Sequence, residues 1–225
     1  MSIYELKPRF QALLRPLVGR LARAGVTANQ VTMAACAVSV ALGVWLLFTA
    51  GPPQGEQTPP GGMGAQTFAA PGRWAFALVP LWMFLRMAFN AIDGMLAREH
   101  GQKSALGAFL NELTDVLSDA ALYAPFALVA PFGGFWVGAV IVLAGLSEFA
   151  GALGPTVGAS RRYDGPMGKS DRAFVFGALG LYVALGWPLA GWAAWLMPLI
   201  AALVAWTIAN RIRRALVEAG QSTAL

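Results

Sequence analysis

The sequence predicts an all-α integral membrane protein, in which six transmembrane helices follow an N-terminal amphipathic interfacial helix. The 225 residues are 57% hydrophobic and only 12% charged, with a mean hydropathy of +0.59. This composition leaves too little polar surface for a water-soluble globule. A helix needs roughly 20 apolar residues to cross the hydrocarbon core. Six apolar windows suit this length, near residues 30–50, 73–98, 105–130, 134–157, 173–189 and 191–210.

The first 25 residues form the predicted interfacial helix. Leucine and phenylalanine recur there at helical spacing, with basic residues between them. Such a segment lies in the plane of the inner leaflet and is attracted to anionic lipid. We expect residues 1–25 to anchor the chain, with a role in gating lipid entry as the alternative. We find no cleavable signal peptide, so the whole chain, residues 1–225, is read as one membrane domain.

The positions of Lys and Arg predict the orientation of these helices. Short loops rich in Lys and Arg remain in the cytoplasm, and the basic clusters all fall on one side of a six-crossing topology. On the opposite side, residues 51–72 are rich in Pro and Gly without Lys or Arg, and we expect an external loop there. Both termini and a tail at residues 211–225 should be cytoplasmic. The net charge of +5 is then a topology signal, and no nucleic acid partner is expected.

Polar residues interrupt the second and third apolar windows at helical spacing. Asn90 and Asp93 share one helix face, and Asn111 and Asp115 share a face of the next helix. The short connection between these helices predicts that they are antiparallel neighbours. Ionisable groups in hydrocarbon indicate a functional site, and carboxylate and amide oxygens suit Mg²⁺, Mn²⁺ or Ca²⁺ rather than zinc. A hydrogen-bonded structural network between the helices is the alternative.

A second polar pair lies deeper in the same two helices. The antiparallel register places Arg86 opposite Asp119, about 18 Å below the cytoplasmic ends, whereas Asp93 and Asn111 lie only roughly 6 to 8 Å below them. A buried ion pair is costly to break and of uncertain net benefit. We therefore expect Arg86 and Asp119 to form a structural ion pair.

The spacing N-x2-D-G-x2-A-R-x8-G-x3-N-x3-D resembles the signature of the CDP-alcohol phosphatidyltransferase family, D-x2-D-G-x2-A-R-x8-G-x3-D-x3-D. Every gap matches, and the resemblance covers nearly the whole chain. It looks closest to the bacterial YnbA-type members, which also have Asn at the first and third acidic positions. The identical signature residues are Asp93, Gly94, Ala97, Arg98, Gly107 and Asp115.

The resemblance implies an enzyme of phospholipid biosynthesis in the bacterial inner membrane, with a CDP-alcohol phosphotransferase-like fold. It would transfer a phosphatidyl group from CDP-diacylglycerol to an alcohol acceptor, release CMP and use Mg²⁺ or Mn²⁺. Asp115 matches the general base, and a homodimer is implied. The implied metal ligands are Asn90, Asp93, Asn111 and Asp115. The implied nucleotide and diphosphate contacts are Asn29, Thr32, Gly94, Ala97, Arg98 and Gly107. The implied acceptor contacts are Arg161, Arg162, Lys169 and Arg172.

Asn90 and Asn111 depart from the family signature. Each replaces a carboxylate with a neutral amide, so either one or two metal ions would bind. This departure keeps a second function open, a non-catalytic protein that binds the nucleotide lipid or scaffolds a lipid-synthesis complex. A third alternative is a small transporter with Arg86, Asp119 and Glu148 in a proton path. The acceptor alcohol cannot be read from the sequence.

Overall fold

The computed structural model describes residues 3–49 and 70–222. The predicted external loop, residues 51–72, therefore lies almost entirely outside the described residues. Within them the chain is helical and forms no strand. The α-helices are α1 (Ile3–Arg23), α2 (Ala28–Thr49), α3 (Ala70–Trp74), α4 (Leu78–Glu99), α5 (Ala105–Tyr123), α6 (Gly134–Ala152), α7 (Lys169–Ala184) and α8 (Leu196–Ser222).

Four helical stretches in the described part of the chain are long and apolar enough to cross a membrane. They are Ala28–Thr49, Gly72–Glu99, Gly134–Ala152 and Gly191–Gln221. The two other predicted windows correspond to α5 and α7, which do not qualify as spans. Helix α5 is 19 residues long but carries three carboxylates, and α7 has only 16 residues. The all-α membrane fold is confirmed, whereas the count of six crossings stays a prediction.

The two ends of the described chain are helical. Helix α1 runs unbroken from Ile3 to Arg23 and packs against α4, with Val18 fully buried in that contact. Helix α8 continues through Ser222, so the predicted tail at residues 211–225 begins as helix. The helix extends because Arg211 is only 2% exposed and donates to the backbone oxygen of Ser147 on α6.

Helix α2 is the centre of the packing around the polar residues. It lies against both α4 and α5, while α7 packs on α4 and α6 packs on α8. A Cβ atom added at Gly43 would overlap the backbone carbonyl of Ala121, so glycine is what allows α2 to approach α5 this closely.

Helices α4 and α5 barely touch along their backbones, although they are consecutive. They are neighbours through their side chains, as the short connection predicts, because Arg86 on α4 reaches both Asp115 and Asp119 on α5. Helix α2 packs against both of them and takes up most of the backbone contact. We call the space between the polar faces of α4 and α5, which the side chain of Arg86 crosses, the gap.

Candidate functional site

The carboxylate of Asp93 on α4 accepts a hydrogen bond from a side chain on α2. The hydroxyl of Thr32 donates to Oδ2 of Asp93 at 2.8 Å and also to the carbonyl of Ala28 at 3.1 Å. Asp93 is only 6% exposed, although its predicted depth suggested a wet position. Packing of α2 against α4 explains the difference, because it covers the face that carries Asp93.

The turn between α4 and α5 is tied to the start of α2. The side chain of Gln102 accepts from the amide of Ala28 at 2.7 Å and donates to the carbonyl of Val26 at 3.3 Å. A Cβ atom at Gly107 would lie 2.8 Å from Oδ1 of Asn29. The structure thus brings together Asn29 and Gly107, which the sequence placed in the same binding role. Sequence reasoning missed Gln102, because a lone glutamine in a turn carries no pattern.

Arg98 folds back along its own helix. A Cβ atom at Gly94 would lie 3.1 Å from both terminal nitrogens of the Arg98 guanidinium. Arg98 is exposed, whereas Gly94 and Ala97 are partly buried. A cation therefore lies over the glycine at the open end of α4, one turn from Asp93.

Both carboxylate oxygens of Asp115 contact cations. Arg86 donates to Oδ1 at 3.0 Å and to the backbone oxygen of Asp115 at 3.1 Å, and Lys169 forms an ion pair with Oδ2. The side chains of Asp115 and Lys169 are 18% and 29% exposed. Asp93 lies within electrostatic range of both groups. Lys169, which the resemblance placed on the acceptor, is in contact with the residue implied to be the general base.

A chain of ion pairs continues from Arg86 into the protein. Arg86 donates to Asp119 at 2.5 Å, the contact that the predicted register placed there. Asp119 lies 3.5 Å from Arg172, which pairs with Glu148 at 2.9 Å, and Glu148 lies 3.5 Å from Arg211. We refer to Arg86, Asp119, Arg172, Glu148 and Arg211 as the buried ion chain. It joins α4, α5, α6, α7 and α8, and each of its members is at most 8% exposed.

The remaining predicted acceptor cations lie on the loop between α6 and α7. Arg161 forms a two-point contact with Glu112, next to Asn111, and its guanidinium stacks 5.0 Å from the ring centre of Tyr163. Arg162 pairs instead with Asp164 and Glu218, towards the end of α8. Arg161 thus contacts α5 one residue from Asn111, whereas Arg162 belongs to a separate cluster of charges.

The implied metal ligands fit a divalent cation by the chemistry of their donor atoms, which are all hard oxygens. Asp93 and Asp115 provide two negative charges, and Asn90 and Asn111 provide neutral amide oxygens. No group of three or more His, Cys, Asp or Glu side chains in the described ranges is arranged to hold a metal ion.

A family model for CDP-alcohol phosphatidyltransferases matches residues 25–209. The chain is also 40% identical to the inner membrane protein YnbA of Escherichia coli strain K12, over 98% of this chain and all of that protein. This chain belongs to the CDP-alcohol phosphatidyltransferase family. The resemblance noted from the signature residues is confirmed.

Two phosphatidylinositol phosphate synthases are also similar to this CDP-alcohol phosphatidyltransferase family member. The enzyme of Mycobacteroides abscessus is 28% identical over 65% of this chain and 54% of its own length. The crystal structure of the Mycobacterium tuberculosis enzyme, in complex with manganese and citrate, superposes with a TM-score of 0.66. That match covers 89% of this chain and 88% of the other at 20% identity, and it shows the shared fold. The chain is a multi-pass inner membrane protein of a phospholipid-synthesis transferase family.

Proposed function

We propose that this protein transfers a phosphatidyl group from CDP-diacylglycerol to an alcohol acceptor in a reaction that depends on a divalent metal ion. The observation that carries the proposal is the pair of carboxylates on the two sides of the gap, with Asp93 held by Thr32 and Asp115 held by Arg86 and Lys169. The family and its phosphatidylinositol phosphate synthases support this reaction class.

Asp115 is the proposed general base. Its carboxylate is part-exposed, so an acceptor hydroxyl can reach it from the gap. Asp115 takes the proton from this hydroxyl while the hydroxyl oxygen attacks the phosphorus that carries the diacylglycerol. The bond from that phosphorus to the CMP oxygen breaks, and CMP leaves with the bonding electrons. Arg86 and Lys169 contact the two oxygens of this carboxylate and fix its orientation towards the acceptor.

The donor contacts are proposed for the open end of α4 and the start of α2. In this proposal Arg98, which lies over Gly94, pairs with the diphosphate, and Asn29, which lies beside Gly107, contacts the nucleotide; their proximity supports the assignment. A divalent ion held by Asp93, Asp115 and the amides of Asn90 and Asn111 would neutralise diphosphate charge. The manganese in the structural relative supports this assignment.

For the acceptor we propose contacts with Lys169, which pairs with Asp115, and with Arg161, which pairs with Glu112 beside Asn111. Arg172 is fully buried in the buried ion chain, and Arg162 pairs away from the gap, so both are better assigned to structure. The site faces the cytoplasm in this proposal, because the α4–α5 turn beside it carries basic residues. A homodimer is part of the proposal on family resemblance alone.

The test uses the purified full-length protein in lipid nanodiscs with CDP-diacylglycerol labelled in its cytidine, Mn²⁺ and a cell extract as the source of acceptor alcohols. We expect metal-dependent release of CMP and one new phospholipid, and loss of both in Asp115→Asn. Glu99→Gln, which alters an exposed ion pair with Arg15, is the matched control and should retain activity. No CMP release with any acceptor would favour the non-catalytic alternative, to which Asn90 and Asn111 point.

A further inference from the structure

We propose that the ammonium group of Lys169 supplies the second positive charge of this site, so that the protein works with one divalent ion rather than two. The inference rests on the proposed function. It gives Lys169, proposed above as an acceptor contact, a further role at the metal site. The observation behind it is the ion pair between Nζ of Lys169 and Oδ2 of Asp115.

The carboxylate of Asp115 has no oxygen without a cationic partner. Oδ1 accepts from Arg86 and Oδ2 from Lys169. Each carboxylate oxygen has two lone pairs, so one ion can bind Asp115 beside its present partners, but a second ion on the same carboxylate would crowd one of these cations. Arg86 is held in place by Asp119, and it is only 5% exposed. The position next to Oδ2 is therefore where a second metal ion and Lys169 would compete.

The charges of the ligand set favour Lys169 in this competition. Asp93 and Asp115 carry two negative charges, whereas Asn90 and Asn111 carry none. The affinity of oxygen ligands for divalent cations falls as their negative charge falls. Arg86 and Lys169 already pair with Asp115, so one divalent ion more than balances the two carboxylates, and a second ion would find no further carboxylate within the set. A lysine needs a single carboxylate partner, and its compact point charge suits this position.

The segment that carries Lys169 is held at several points. The amide of Met167 donates to the hydroxyl of Thr207 on α8 at 3.0 Å, and the amide of Gly168 donates to Asp171 at 2.9 Å. Three residues after Lys169, Arg172 is locked into the buried ion chain. Lys169 is the first residue of α7. These contacts therefore fix the position of its backbone relative to Asp115.

The inference is tested by counting metal ions. Full-length protein in nanodiscs that contain CDP-diacylglycerol is titrated with Mn²⁺, and free Mn²⁺ is followed by electron paramagnetic resonance. We expect one bound Mn²⁺ per wild-type chain. Lys169→Met should still bind one ion but lose about 100-fold in the rate of CMP release, the scale for removing one charge-stabilising group from an active site. Lys103→Met, an exposed lysine in the α4–α5 turn, is the matched control and should match the wild type in both measurements.

A compensating variant makes the inference specific. In Asn90→Asp/Asn111→Asp/Lys169→Met, two carboxylates are restored and the ammonium is removed. We expect this protein to bind two Mn²⁺ ions and to release CMP at least tenfold faster than Lys169→Met. Thermal unfolding of each variant in detergent verifies that it is folded.

Three results would overturn the inference. These are two Mn²⁺ ions on the wild-type protein, unchanged activity of Lys169→Met, or a compensating variant that still binds one ion. CMP release by the wild type reports separately on the proposed function. If release is absent while the ion counts follow the expected pattern, the reaction is wrong and the role of Lys169 stands. If release occurs with two ions bound, only the role of Lys169 fails.

Discussion

Thr32 on α2 donates a hydrogen bond of 2.8 Å to the buried carboxylate of Asp93 on α4. The hydroxyl lies 61 residues before its acceptor in the sequence, and it reaches Asp93 because α2 packs against α4. The first long apolar helix is therefore part of the candidate site as well as of the scaffold. This contact leads to the first of four predictions.

Removing the hydroxyl of Thr32 should weaken metal binding. A hydrogen bond to a charged group contributes about 1.5–3 kcal/mol, so Thr32→Val is expected to lower the affinity for Mn²⁺ by roughly 10- to 100-fold. Thr32→Ser keeps the donor and serves as the control. Calorimetric titration with Mn²⁺ makes the comparison. Equal affinities for the Val and Ser variants would show that Thr32 does not support the metal ligand.

Arg86 is expected to contribute more to stability than any exposed arginine. Arg86→Met leaves Asp119 buried with only the more distant Arg172 beside it, and breaking a buried pair costs about 3–5 kcal/mol. Unfolding in mixed micelles measures the loss. Arg15→Met removes an exposed pair with Glu99 and should leave the midpoint almost unchanged, because exposed pairs contribute little. Similar shifts in both variants would contradict a structural role for Arg86.

Glu148 is expected to stabilise two buried arginines at once. Glu148→Gln removes the charge that faces Arg172 and Arg211, which are 0% and 2% exposed. The loss should again be several kcal/mol, since two buried cations lose a partner. In Glu148→Gln/Arg172→Met one of these cations is absent, so unfolding in mixed micelles should show a smaller loss than the two single changes added together. Strict additivity would mean that the two residues do not interact.

Gly107 is expected to affect binding of the donor more than stability. In Gly107→Ala the new methyl group would lie 2.8 Å from Oδ1 of Asn29 and 3.0 Å from Oγ of Ser104, so the Asn29 side chain has to move. The KM for CDP-diacylglycerol should rise severalfold with little change in unfolding. Gly138→Ala, where a Cβ atom meets no neighbour within 4 Å, is the matched control. An unchanged KM for Gly107→Ala would show that Asn29 does not contact the donor.

The sequence could predict the parts of the site that depend on local spacing. Residues three and four apart share a helix face, and this periodicity grouped Asn90 with Asp93 and placed Arg86 opposite Asp119. It could not reveal which helices pack together when they are distant in the chain. The contacts of Lys169 with Asp115, Arg172 with Asp119 and Thr32 with Asp93 all join non-consecutive helices, so they became visible only in the fold.

The spans show a related limit. Hydropathy identified α2 and α6 well, because these helices are apolar along their length. Helix α5 carries its carboxylates towards the gap, so its composition alone does not qualify it as a span. Of the two helices that bear the candidate metal ligands, α4 qualifies as a span and α5 does not.

The contact of Gly43 with the carbonyl of Ala121 leaves no space for even a methyl group between α2 and α5. A rotation of either helix would bring a side chain into this contact, so α2 and α5 should behave as one rigid unit. Any rearrangement at the site must then come from helices other than these two.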